Sequence, residues 1–73
     1  MTQRERILEY IDKYGDISPM EAFMYLGVTK LATRISEMRR DGMEFDQKLE
    51  KSTNRFGDKV EYMRYYRKGA LHE

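Results

Sequence analysis

Four cations crowd one short stretch of this chain. Lys30, Arg34, Arg39 and Arg40 stand against a single acid, Glu37, over residues 29–40. Ammonium and guanidinium groups donate hydrogen bonds and carry fixed charge, so their chemistry is the gripping of anions and of base-edge acceptors. A helix that projects such groups suits a polyanion, and double-stranded DNA is the commonest polyanion read by a helix. Placed at ~100° per residue, Leu31, Ile35 and Met38 fall on one side and belong to a core. Ala32 flanks them and is small enough to let a neighbouring helix approach. Thr33, Ser36, Glu37 and Arg40 lie opposite, with Lys30 and Arg34 bordering that outer face.

These residue types divide the work. Lys30, Thr33 and Arg34, near the helix start, are the candidates for reading base edges. Arg grips guanine bidentately, and Thr bonds a base or meets a thymine methyl. Glu37 has three partners within reach: a cytosine amine, Arg34 or Arg40. Arg39 and Arg40 suit phosphates, but cations near a helix C-terminus also oppose the helix dipole without any ligand. Lys30 has no such explanation, because a cation at a helix N-terminus is unfavourable by a few tenths of a kcal/mol. A second group, Lys51, Thr53, Asn54, Arg55 and Lys59, falls around a turn and suits a phosphate backbone or a minor groove.

The elements that must position these groups are legible from caps and periods. Thr2 opens a helix over about 3–14 with Ile7, Leu8, Ile11 and Tyr14 as its buried stripe, and Gly15 closes it. Asp16 and Ile17 form a short extended link. Ser18-Pro19-Met20-Glu21 is a capped start in which Ser18 and Glu21 exchange bonds and Pro19 lacks the amide that would go unpaired. Ala22, Phe23 and Leu26 are the buried side of that second helix, about 19–26. Gly27 permits the turn, Val28 plugs the angle between helices, and Thr29 is the next N-cap candidate. The third helix runs from Lys30 to about Asp41 and ends at Gly42.

The period then changes from helical to alternating. Met43, Phe45, Gln47 and Leu49 alternate with Glu44, Asp46, Lys48 and Glu50 as a half-buried strand. Residues 52–57 read as a turn and 59–66 as the partner strand. Two faces of that strand compete, Val60 with Tyr62 against Met63 with Tyr65. The acids Glu44, Asp46 and Glu50 are expected to face away from DNA and to pair with Lys59 or Arg64. Tyr62, Tyr65 and Tyr66 among Arg64, Arg67 and Lys68 would suit single-stranded bases, though tyrosine is also an ordinary strand residue. The methionines at 20, 24, 38, 43 and 63 read as core filler. Three helices followed by an antiparallel β-hairpin wing make an α+β winged helix-turn-helix, with Ile17 placed to pair with the hairpin as a short extra strand.

Composition excludes most other classes. The chain has 73 residues, so one domain is expected over 1–68, with a flexible tail at 69–73. There is no cysteine, and the one histidine, His72, is next to the end. Disulfides, metal clusters and a positioned catalytic imidazole are therefore not expected. Neither a cofactor nor an enzymatic activity is assigned. No apolar run approaches the roughly 18 residues of a membrane span, and the opening TQRERI is too polar for a signal core, which makes a cytoplasmic location the expectation. The net charge is +1. It is unevenly spread: residues 29–40 and 51–68 are basic, and residues 1–28 and 41–50 are acidic.

From Arg4 to Tyr65 the chain resembles the small phage and prophage winged helix-turn-helix domains of bacteria. The matching stretches are TQRERILEYIDKYG, SPMEAF, LGVTKLATRISEMRRDG and NRFGDKVEYMRY. The resemblance implies a DNA-binding accessory or regulatory protein. It puts recognition on Thr29, Lys30, Thr33 and Arg34, and the wing on Asn54 and Arg55. Duplex DNA is the partner it implies. A homodimer, or a phage or host protein partner, is compatible with the same sequence, as is a protein-interaction module that does not bind DNA.

Overall fold

The computed structural model describes residues 1–68. The tail expected over 69–73, His72 included, lies outside the described residues. Three helices, α1 (Gln3–Tyr14), α2 (Pro19–Leu26) and α3 (Leu31–Arg40), precede two strands, β1 (Phe45–Thr53) and β2 (Lys59–Arg67). This is the expected order.

Local chemistry explains the boundaries. Thr2 and Ser18 each form a reciprocal capping box, with Glu5 and Glu21 respectively. Each box satisfies two amides that a helix start would leave unpaired. Gly27 ends α2 in the left-handed region, at φ 71° and ψ 22°, so the chain turns at once toward α3. The far end of α3 closes with the Met43 amide donating to the Met38 carbonyl (3.0 Å) and the Gly42 amide to the Arg39 carbonyl (3.0 Å). Gly42 adopts the positive φ, 102°, that this double closure needs.

The start of α3 departs from expectation. Lys30, not Thr29, is the N-cap, and it makes no side-chain capping bond. Lysine has no acceptor to offer the free amides, so this helix end is held by its carbonyl alone, which accepts from the Arg34 amide at 3.1 Å.

β1 and β2 pair antiparallel from Phe45↔Arg67 to Thr53↔Lys59. Ile17 adds the expected third segment: it exchanges both backbone hydrogen bonds with Tyr65, at 2.9 and 3.0 Å. That bridge fixes the base of the hairpin between α1 and α2. The hairpin is longer than the sequence suggests. β1 begins at Phe45 rather than Met43 and runs to Thr53, and the turn is 54–58 rather than 52–57.

One core joins all five elements. Ile7 and Ile11 of α1, Ile17, Ala22 of α2, Val28, Leu31, Ile35 and Met38 of α3, Phe45 and Tyr65 are all buried. Val28 plugs the interhelical angle as expected. Tyr65 settles the face of β2, with Met63 half-buried beside it. Several expected core residues are outside: Tyr14 (61 % exposed), Phe23 (58 %), Met20, Met24 and Leu49. Ala32 too is exposed rather than packed against a neighbouring helix. The reason is size. The small core closes with two residues of α1 and one of α2, Leu8 and Leu26 pack half-buried against it, and Tyr14 and Phe23 fall beyond its edge.

Candidate nucleic-acid interface

Three residues crowd the core side of α3, which leaves its opposite side open. Ala32, Thr33, Ser36 and Arg40 are exposed there, and Thr29 and Lys30 are exposed just before the helix begins. Small side chains dominate this surface, so the helix backbone can approach a groove floor closely. Thr33 and Ser36 lie on the outer face as expected, and Ala32, expected beside a neighbouring helix, joins them there.

The flanks of α3 are tied down. Arg34 is half-buried, and its Nη1 donates to Glu37 Oε1 at 3.0 Å. Arg4 of α1 donates to the same Glu37 oxygen from Nη2 at 3.4 Å, and to Asp41 Oδ2 from Nη1 at 2.6 Å. The Asp41 hydrogen bond raises the Arg4 guanidinium above its ordinary pKa, with Glu37 adding to it against partial burial. Glu37 is therefore a two-arginine clamp between α1 and α3. Of its three anticipated partners it takes Arg34, and it adds Arg4 in place of Arg40. The Nε of Arg34 is buried without a hydrogen-bond partner. That nitrogen is closed to a ligand, and the donor capacity left beyond the Glu37 contact is that of Nη2, which makes no hydrogen bond among the described residues.

Arg39 and Arg40 take different roles although they are neighbours. Arg39 Nη2 donates to the Phe45 carbonyl (3.2 Å) and to Gln47 Oε1 (3.1 Å), which latches α3 to β1. Arg40 is exposed and makes no ion pair among the described residues.

The hairpin tip is a second exposed cationic group. Lys51, Arg55 and Lys59 are exposed and unpaired among the described residues. Asn54 is the tip's keystone. Its Oδ1 accepts from the amides of Phe56 (2.9 Å) and Asp58 (3.0 Å), and its own amide donates to the Asp58 carbonyl (2.9 Å). Asn54 thus shapes the turn, and its side-chain oxygen is committed. No hydrogen bond or ion pair joins the tip to the start of α3 among the described residues, so the two groups are separate surfaces. Of the tyrosines read as base-stacking, Tyr65 is in the core and cannot serve.

A charge cluster fixes the hairpin to the helical body. Arg64 of β2 donates to Asp16 Oδ1 (2.8 Å), to both carboxylate oxygens of Glu21 (3.0 Å each) and to Glu50. Lys48 Nζ lies 3.5 Å from Asp16 Oδ2. The Glu21 hydrogen bond, with help from Glu50 and Asp16, raises the Arg64 pKa far above its ordinary value. Burial pushes the Glu21 carboxyl up, but Arg64 and the Ser18 amide outweigh it and leave it below its ordinary value. The Arg64 hydrogen bond also holds Glu50 low. Of the cross-strand pairs expected for the strand acids, Glu50–Arg64 forms. Nothing in the spacing of the residues signals that Asp16 and Glu21 converge on it.

Among the described residues no helix is long and apolar enough to cross a membrane. No curated protein and no solved structure matches the chain. A family model does: the winged helix-turn-helix domain matches residues 2–66, and winged helix-turn-helix domains are in general DNA-binding modules. The order of the elements, the tight Gly27 turn and the hairpin that follows α3 agree with that match, and the chain belongs to the winged helix-turn-helix domain family.

Proposed function

We propose that this domain binds double-stranded DNA by laying α3 in the major groove, in the service of transcriptional control or of phage or prophage DNA transactions. The observation that carries it is the outer face of α3. That face is small and open, bordered by Lys30 at one end and Arg40 at the other, and neither cation has a partner among the described residues. An unpaired lysine at a helix N-terminus opposes the helix dipole, and a phosphate or a purine acceptor would relieve that cost.

Lys30 and Thr33 reach base edges, and Arg34 adds its spare donors from the flank where Glu37 orients it. Thr29 and Arg40 grip phosphates at the two ends of the helix. Lys51, Arg55 and Lys59 bring the wing against the backbone, where such contacts position the protein without reading sequence. Selection of bound duplexes from a random pool tests the proposal. A shared short motif is expected after a few rounds. A pool that stays random contradicts base reading.

A second reading has its own observation. Met20, Phe23 and Met24 make an exposed apolar stripe on α2, and Tyr25 is exposed beside it. A contiguous apolar patch on a small protein marks an interaction site. Stoichiometric capture of one protein, with no duplex binding at low salt, would favour an interaction module.

A further inference from the structure

Charge alone leaves one side chain of the wing unused. Phe56 at the hairpin tip is 82 % exposed, more than any other large apolar residue described. It is far along the hairpin from the core residues Phe45 and Tyr65, so it contributes nothing to holding the fold.

Its exposure is built in. The last strand pair is Thr53↔Lys59, and the five residues between them are held by four hydrogen bonds centred on Asn54. One of those bonds, at 2.9 Å, goes from the Phe56 amide to Asn54 Oδ1 and fixes the backbone from which the ring projects. Gly57 takes the positive φ, 87°, that lets the chain return directly behind the ring. A phenyl group on a rigid, narrow ribbon is preorganised to enter something.

The surroundings say what. Arg55 precedes it, and Lys51 and Lys59 stand on the two strands below, against the acids Asp58 and Glu61. A partner must therefore take an apolar ring at its centre and cations around it. A base stack bordered by phosphates has that pattern, and apolar side chains inserted between base steps from the minor groove unstack them and kink the duplex. A protein surface would need an apolar pocket rimmed with acids.

We propose that Phe56 is an apolar wedge that enters the minor groove at one base step, so that the protein bends the duplex it binds. This rests on the duplex-binding reading above. The favoured step is pyrimidine–purine, because TA and CA steps unstack most easily.

The test uses a duplex of about 20 bp made of alternating TA steps, long enough to report a bend. It carries a donor and an acceptor dye on its ends and 2-aminopurine in place of central adenines. The full chain, Phe56→Ala and Phe56→Leu are each titrated into it at low salt. Anisotropy reads binding, energy transfer reads bending, and 2-aminopurine emission reads unstacking. Saturation with the native protein is expected to raise both transfer and emission. Phe56→Ala is expected to keep salt-sensitive binding with both signals at the free-duplex level, and Phe56→Leu to restore most of each. Native binding with neither signal changed overturns the wedge and leaves duplex binding standing. Unchanged bending by Phe56→Ala also overturns it. No native binding at low salt overturns both readings together.

Discussion

Neighbouring arginines of one type do unlike work here. Arg39 turns toward β1 and satisfies a carbonyl and an amide oxygen, whereas Arg40 projects from the open face of α3. Hydrogen bonds from a charged donor contribute more than neutral ones, so Arg39→Ala is expected to lower stability by about 1–2 kcal/mol. Thermal unfolding followed by circular dichroism should show a midpoint several degrees lower, at roughly 4–8 °C per kcal/mol for a domain of this size. Arg40→Ala is expected to leave that midpoint nearly unchanged. It should weaken duplex binding about equally for all sequences and reduce the salt slope by about 1. A helical wheel separates Thr33 from Leu31 correctly, because that needs only the period. It cannot see that Arg39 meets Phe45 and Gln47, because those acceptors arrive through the Gly42 turn.

Elements were most legible where side chains cap their own backbone. The Ser18–Glu21 box and the Gly27 turn can be read from spacing alone, and both are present. They predict a paired result. Ser18→Ala is expected to cost about 1 kcal/mol through the lost cap. Gly27→Ala is expected to cost roughly 1–2 kcal/mol because a β-carbon disfavours the left-handed region. An added β-carbon at Gly27 meets nothing within 4 Å, so that loss would be conformational, not a clash. Urea midpoints of the two variants check both values. The hairpin was less legible. Its alternation starts at Met43, but pairing starts only at Phe45, after the closure of α3 has used the Met43 amide. Its turn starts two residues later than composition suggests because Asn54 gathers the tip through its side-chain oxygen. Local bonds of that kind decide a turn, and residue counts do not.

For the whole molecule, the decisive link is Arg64. It joins the α1–α2 link (Asp16), α2 (Glu21) and β1 (Glu50), and so sets the wing against the helix-turn-helix. The separation from Asp16, 48 residues, hides the cluster from any reading of neighbours in sequence. Glu21 and Glu50 are both held below their ordinary values when folded. Their stabilisation is thus complete above the unfolded carboxylate value of about 4.3 and is lost as pH falls through the depressed folded values. Thermal midpoints are expected to drop as pH is lowered from neutral into that acid range. Arg64→Met should lower the midpoint at neutral pH and flatten part of the acid loss. A native-like acid profile in Arg64→Met would contradict this assignment. The same rigid setting presents two cationic surfaces together, α3 and the wing, and on it rests the central claim of duplex binding. The most direct measurement is fluorescence anisotropy of a labelled duplex titrated at increasing salt. With Arg40, Lys51, Arg55 and Lys59 on phosphates, the logarithm of the binding constant should fall linearly with that of salt, with a slope of roughly −3 to −4. No binding at low salt, or binding indifferent to salt, would contradict it.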